Sequence, residues 1–216
     1  MFKDRVEAGK KLAEALSLYK GEDAIIYALP RGGVVVGFEV AKALNLPLDL
    51  VITRKIGHPM NPEYALCATT ETGEMLCDES ARASVDEAWL EKAALAEQKE
   101  AKRRREVYLG DRQSASPQGK IAIVVDDGIA TGLTIRSAVN ALRAQNPQKI
   151  VIAVPAAPSD ISQELTSIAE EVVVLSGVKQ YLGAVGAYYE EFPQIKDAEV
   201  THLIQSISNA TGSVGR

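Results

Sequence analysis

VVDDGIATGLT, residues Val124 to Thr134, places two adjacent carboxylates between a buried-strand pattern (Ile121–Val125, IAIVV) and a small, hydroxyl-bearing turn. A strand that feeds a glycine-containing turn and then a helix offers backbone N–H groups and a helix N-terminus to one anion. Ile129, Ala130, Thr131, Gly132, Leu133 and Thr134 form that turn. Gly132 lets the backbone close around phosphate oxygens, and Thr131 and Thr134 add hydroxyl donors. Asp126 and Asp127 lie upstream at the strand's end, out of contact with that phosphate, where they can accept hydrogen bonds from sugar hydroxyls, directly or through Mg²⁺. Carboxylates repel phosphate, so a site holding both must separate them. A phosphate at one end and a diol at the other describe a ribose 5-phosphate. The alternative, that the acids only cap a strand, leaves two charges beside a buried strand without neutralisation, which is costly.

Outward from this stretch, short β-rich runs alternate with helical patterns. Ala24–Leu29, Leu48–Thr53, Ile121–Val125, Ile150–Val154 and Val172–Leu175 read as strands. Val40–Leu44, Thr134–Gln145 and Ser159–Ile168 read as helices. Continuously apolar strands with intervening helices predict an α/β fold, a mainly parallel sheet with helices on both faces. Such sheets bind ligands at the carboxyl ends of their strands. At 216 residues the chain fits a single domain.

The alternation breaks between Arg54 and Lys120. Tyr64–Thr70 and Glu74–Cys77 flank Glu71-Thr72-Gly73 and predict a hairpin over the site, and Val85–Tyr108 predicts one long helix with a thin stripe at Val85, Trp89, Ala93, Ala96 and Val107. Ile56–Glu79, with few apolar contacts expected to hold it, is predicted to be mobile until ligand binds. Lys102-Arg103-Arg104-Arg105 reads as a solvated helix end rather than a nucleic-acid surface. The residues after Ser208 read as a disordered tail.

A net charge of −5 argues against nucleic acid as a partner. No apolar run approaches the ~20 residues of a membrane span, and Met1–Glu7 lacks the apolar core of a signal peptide. Cys67 and Cys77 read as reduced thiols, so the expected location is the cytoplasm. Two histidines far apart, His58 and His202, make a histidine-rich metal site improbable.

The Val124–Thr134 stretch resembles the phosphoribosyl-pyrophosphate (PRPP) signature of the type I phosphoribosyltransferases: apolar residues, two acids, then Thr-Gly-x-Thr. Leu29-Pro30-Arg31-Gly32-Gly33, after the first strand, is similar to that family's pyrophosphate loop. Physically, Arg31 supplies a fork of donors, while Gly32 and Gly33 permit close backbone approach. Arg54-Lys55-Ile56-Gly57, after the second strand, resembles the start of the family's flexible catalytic loop. Ala184–Phe192 (AVGAYYEEF) resembles a poorly characterised bacterial branch, though its Tyr188, Tyr189 and Phe192 read equally as packing or as base stacking. The resemblance implies transfer of ribose 5-phosphate from PRPP to a nitrogen acceptor, with Mg²⁺ as cofactor and a homodimeric assembly. It implies catalytic roles for Arg31, Arg54, Lys55, Asp126 and Asp127, the two acids also serving the metal through ribose or water.

One departure narrows the acceptor. The 6-oxopurine-specific members carry an acid just before Thr-Gly, where this chain has Ala130. The resemblance leans toward adenine- and orotate-type enzymes and away from hypoxanthine or guanine. No general base is assigned; Glu63 is a candidate to contact the acceptor. The competing expectation is a non-catalytic PRPP or nucleotide sensor. A Rossmann dehydrogenase and a P-loop kinase are set aside for want of Gly-x-Gly-x-x-Gly and Gly-Lys-Thr/Ser.

Overall fold

A computed structural model describes residues 1–178 and 182–211. Its core is a five-stranded parallel sheet in the order β2-β1-β6-β7-β8, made by β1 (Ala24–Ala28), β2 (Leu48–Leu50), β6 (Ile121–Val125), β7 (Lys149–Pro158) and β8 (Glu171–Val178). All of β1 and β6 is buried, because helices cover both faces. Side chains alternate between the faces. Ile26, Ile123 and Val151 pack with Leu12, Val36 and Ile204 of α1 (Arg5–Ala15), α2 (Gly32–Leu44) and α7 (Asp197–Thr211). Tyr27, Val124 and Ile152 pack with Val139, Leu142 and Leu165 of α5 (Leu133–Arg143) and α6 (Ser159–Leu165). Each such burial contributes about 1.5–3 kcal/mol.

The strand order reverses between β1 and β6. From β1 the chain crosses through α2 to β2 on one side, and from β6 through α5 to β7 on the other. This topological switch opens a crevice at the carboxyl ends of β1 and β6. It sets the Pro30–Gly33 turn beside Asp126 and Asp127.

The predicted Leu48–Thr53 strand is cut short. β2 ends at Leu50, and after buried Val51 and Ile52 the chain enters a second, antiparallel sheet. That sheet comprises β3 (Thr53–His58), β4 (Asn61–Thr70) and β5 (Met75–Cys77) in sequence order. The expected hairpin is present as β4 and β5, but the premise of a loosely held segment does not hold. Ile56, Leu66 and Cys67 form a small core with Ala81, in the short helix α3 (Glu79–Arg82), and Leu90, in α4 (Glu87–Leu109).

Three further expectations fail. Cys67 and Cys77 lie opposite each other in the β4–β5 register, and they form a disulfide rather than two thiols. The long helix α4 buries Leu90, Ala101, Tyr108 and Leu109, while Val107 of the expected stripe is exposed. Its basic cluster is likewise not all solvated. Arg105 Nη1 donates to Leu50 O (3.2 Å) and Glu71 Oε1 (3.1 Å), and its Nη2 lies 3.6 Å from buried Asp49. Helices α1 and α7 are not anticipated by the sequence patterns. Of the expected tail, residues 209–211 extend α7, and 212–216 lie outside the described residues.

Candidate functional site

At the end of β6, Asp126 and Asp127 pack directly on the glycines of the neighbouring turn. A Cβ placed on Gly32 would lie 1.9 Å from Asp127 Oδ2, and one on Gly33 2.9 Å from Asp126 Oδ1. These glycines are needed first to seat the acids. Burial, followed by the charge of Asp127, pushes the Asp126 carboxyl well above its ordinary range, while Lys55 pulls the other way. A cation arriving beside the pair would therefore favour ionisation of Asp126.

Beyond the acids, Gly132 takes φ +79° and is the residue before α5. Among the described residues no side chain caps this helix, and no acid lies in its first turn, so its leading N–H groups are open to an anion. A cavity of about 210 Å³ unites the two halves, lined by Lys55, Asp126, Asp127, Ile129, Ala130, Thr131, Gly132, Thr134 and Val185. Two wider clefts also meet Thr131. One, about 450 Å³, runs under the small sheet past Tyr64, Leu76 and Leu133; the other, about 730 Å³, passes Ala130 and Pro158–Asp160.

A family model described as the phosphoribosyl transferase domain matches residues 3–190. The chain belongs to that family. It is 41% identical over 206 residues to the Mycobacterium tuberculosis protein named "Putative phosphoribosyl transferase Rv0571c", covering 94% of this chain and 46% of that one. The same identity and coverage hold for its counterpart in a second strain of that organism. The chain thus spans about half the length of the curated relatives it matches. Among solved structures, TT1426 from Thermus thermophilus is 39% identical with a TM-score of 0.80, over 95% of this chain and 98% of that one.

Within this phosphoribosyl transferase domain the expected site residues divide. Lys55, Asp126, Asp127 and most of the Ile129–Thr134 turn share one cavity, and Leu133 faces the adjoining cleft. Arg54, adjacent to Lys55 on β3 and so on the opposite face, donates from Nε to Glu97 Oε2 of α4 at 2.7 Å. Arg31 lies 3.6 Å from Asp197 and, with Gly32, lines a separate shallow cleft. The side chain of Glu63 lies outside the described residues.

Two partners of the acids escape the sequence reading. Arg5, in the first turn of α1, donates from Nε to Asp127 Oδ2 at 2.7 Å. Tyr189 donates its hydroxyl to the Asp127 carbonyl at 2.5 Å. Tyr188 and Tyr189 are buried, which decides for packing over stacking; burial also raises the Tyr189 phenol above its ordinary range. The aromatic tail motif is the only signal for Tyr189, and nothing local marks Arg5.

Proposed function

We propose that this chain transfers ribose 5-phosphate from PRPP to a nitrogen acceptor, releasing pyrophosphate. The observation that carries this reading is the pairing, within one small cavity, of an uncapped helix N-terminus with two acids seated on glycines. The 5′-phosphate would lie on the Ala130–Thr134 amides and hydroxyls. The ribose hydroxyls would face Asp126 and Asp127. In the reaction the C1–O bond breaks, its electron pair leaving with pyrophosphate, and a C1–N bond forms through an oxocarbenium-like state as the acceptor loses its N–H proton to solvent. The paired acids oppose the positive charge that develops on the ribose. Lys55 accompanies the leaving pyrophosphate, as does Arg31 if it turns from its 3.6 Å contact with Asp197. Arg54 is omitted, because it is held by Glu97.

The donor set suits Mg²⁺ arriving with its substrate. Among the described residues no three His, Cys, Asp or Glu side chains converge, and Mg²⁺ characteristically uses one or two carboxylates with substrate oxygens and water. Asp126 and Asp127 would hold it, directly or through ribose and water. When bound, it would supply Lewis-acid neutralisation of the pyrophosphate charge.

Ala130 presents a methyl group where an acid would recognise a 6-oxopurine, so hypoxanthine and guanine should be poor acceptors. The test is a screen of purines, pyrimidines and other amines with PRPP and Mg²⁺, read as pyrophosphate release. Turnover with at least one nitrogen acceptor, and slow turnover with hypoxanthine and guanine, is expected. A second reading, a PRPP-binding regulator, draws on the engagement of Arg31 and Arg54 by acids outside the cavity. Saturable PRPP binding with no turnover of any acceptor would favour it.

A further inference from the structure

Arg5 is the one arginine that is buried among the described residues, at 7% exposure. Asp4 caps α1 by accepting from Glu7 N at 2.8 Å, which fixes the turn that carries Arg5. The guanidinium stacks 3.6 Å from the Phe192 ring centroid and donates from Nη1 to Pro193 O at 2.8 Å. Its Nε meets Asp127 at 2.7 Å, beside the Cα of Gly32. Backbone bonds between Phe2 and Tyr188, Glu190 and Phe2, and Glu191 and Lys3 tie the same two chain ends together. Joining those ends needs no buried charge, because backbone pairing and aromatic packing already do so. A buried guanidinium is costly unless its partner requires it. Here that partner is the second acid of the PRPP-like motif.

We infer that Arg5 is a positioning residue for PRPP: acting through Asp127, it holds that carboxylate under the pyrophosphate turn and offsets its charge beside Asp126. The inference rests on the PRPP reading above. The N-terminal helix and the Phe192–Pro193 segment thereby become parts of the site, although neither lines the cavity.

Calorimetric titration of PRPP with Mg²⁺ tests this in a double-mutant cycle of Arg5→Met and Asp127→Asn, with melting temperatures recorded alongside. Arg5→Met should weaken binding about tenfold in the wild-type background and hardly at all once Asp127 is Asn, because contacting residues are non-additive. Arg5→Lys keeps the charge but not the stacked, two-donor fork, so its affinity should fall between those of Arg5→Met and wild type. Equal weakening in both backgrounds, or unchanged affinity in Arg5→Met, would overturn the inference while leaving the PRPP reading intact. If Arg5→Met does not fold, Arg5→Lys in the two backgrounds is judged by the same non-additivity. A wild-type protein that binds no PRPP at all overturns the reading and this inference together.

Discussion

At Gly32 an added Cβ would lie 1.9 Å from Asp127 Oδ2, 2.6 Å from its Cγ and 2.8 Å from Arg5 Nε. None of these atoms is free to swing aside, since Arg5 and Asp127 are bonded to each other at 2.7 Å. Gly32→Ala should therefore break that pair, with a loss of about 1–3 kcal/mol of stability from overpacking. PRPP affinity should fall at least about tenfold, because the displaced acid stands beside the ribose position. Denaturant unfolding and calorimetry measure the two losses, and a variant with wild-type values of both would show that the glycine serves no such fit. The glycine pair was visible in the sequence, but its reason was not. Close approach to phosphate and close approach to a carboxylate both demand a missing Cβ, and only the tertiary contact tells them apart.

Helix α4 is tied to the core by Arg105, which reaches the carbonyl of Leu50, the buried Asp49 and Glu71 in the β4–β5 turn. Asp49 is itself satisfied by the N–H groups of Leu50 (2.8 Å) and Ala115 (2.6 Å), and Glu71 accepts from Ile52 N at 3.0 Å. Burial pushes the Glu71 carboxyl above its ordinary range, and Arg105 only partly offsets this. Arg105→Met leaves the buried Asp49 and the partly buried Glu71 short of a cation and should cost about 3–5 kcal/mol. The pH dependence has a definite sign. A carboxyl whose folded pKa lies above its unfolded value binds its proton more tightly when folded. Its contribution to stability is full below the unfolded value and is lost as pH rises through the folded one. Since removing Arg105 raises Glu71 further, the deficit should be larger near about pH 7 than near about pH 5. Urea denaturation of both proteins at the two pH values decides it, and a deficit independent of pH would exclude Glu71 as the source. Strand and helix existence was legible because fully covered strands must be apolar throughout. The role of Arg105 was not, because a basic run at a helix end has the same composition whether it meets water or two acids distant in sequence.

For the molecule as a whole, the parallel sheet was legible from the order of strands, turns and helices, and with it the place of the Ile129–Thr134 turn at a strand's carboxyl end; the strand order that creates the switch point was not. The small sheet was legible as a hairpin but not as a body with its own core, since Ile56, Leu66 and Leu90 come from three separate elements. Its Cys67–Cys77 bridge spans 10 residues and joins facing strands. Hydrogen exchange of the free protein should show protection in β3 and β4 before any ligand is added. A thiol reductant should speed exchange in β4 and β5 while leaving β1, β6 and β7 unchanged. Exchange in Ile56–Glu79 as fast as in an unstructured chain would restore the mobile segment expected from sequence. Everything proposed for the site depends on where a phosphate sits. A crystal of this protein soaked with PRPP or a nucleoside 5′-monophosphate should place the 5′-phosphate on the Ala130–Thr134 amides and the ribose hydroxyls toward Asp126 and Asp127. Phosphate bound elsewhere, with that turn empty at saturating ligand, would contradict it.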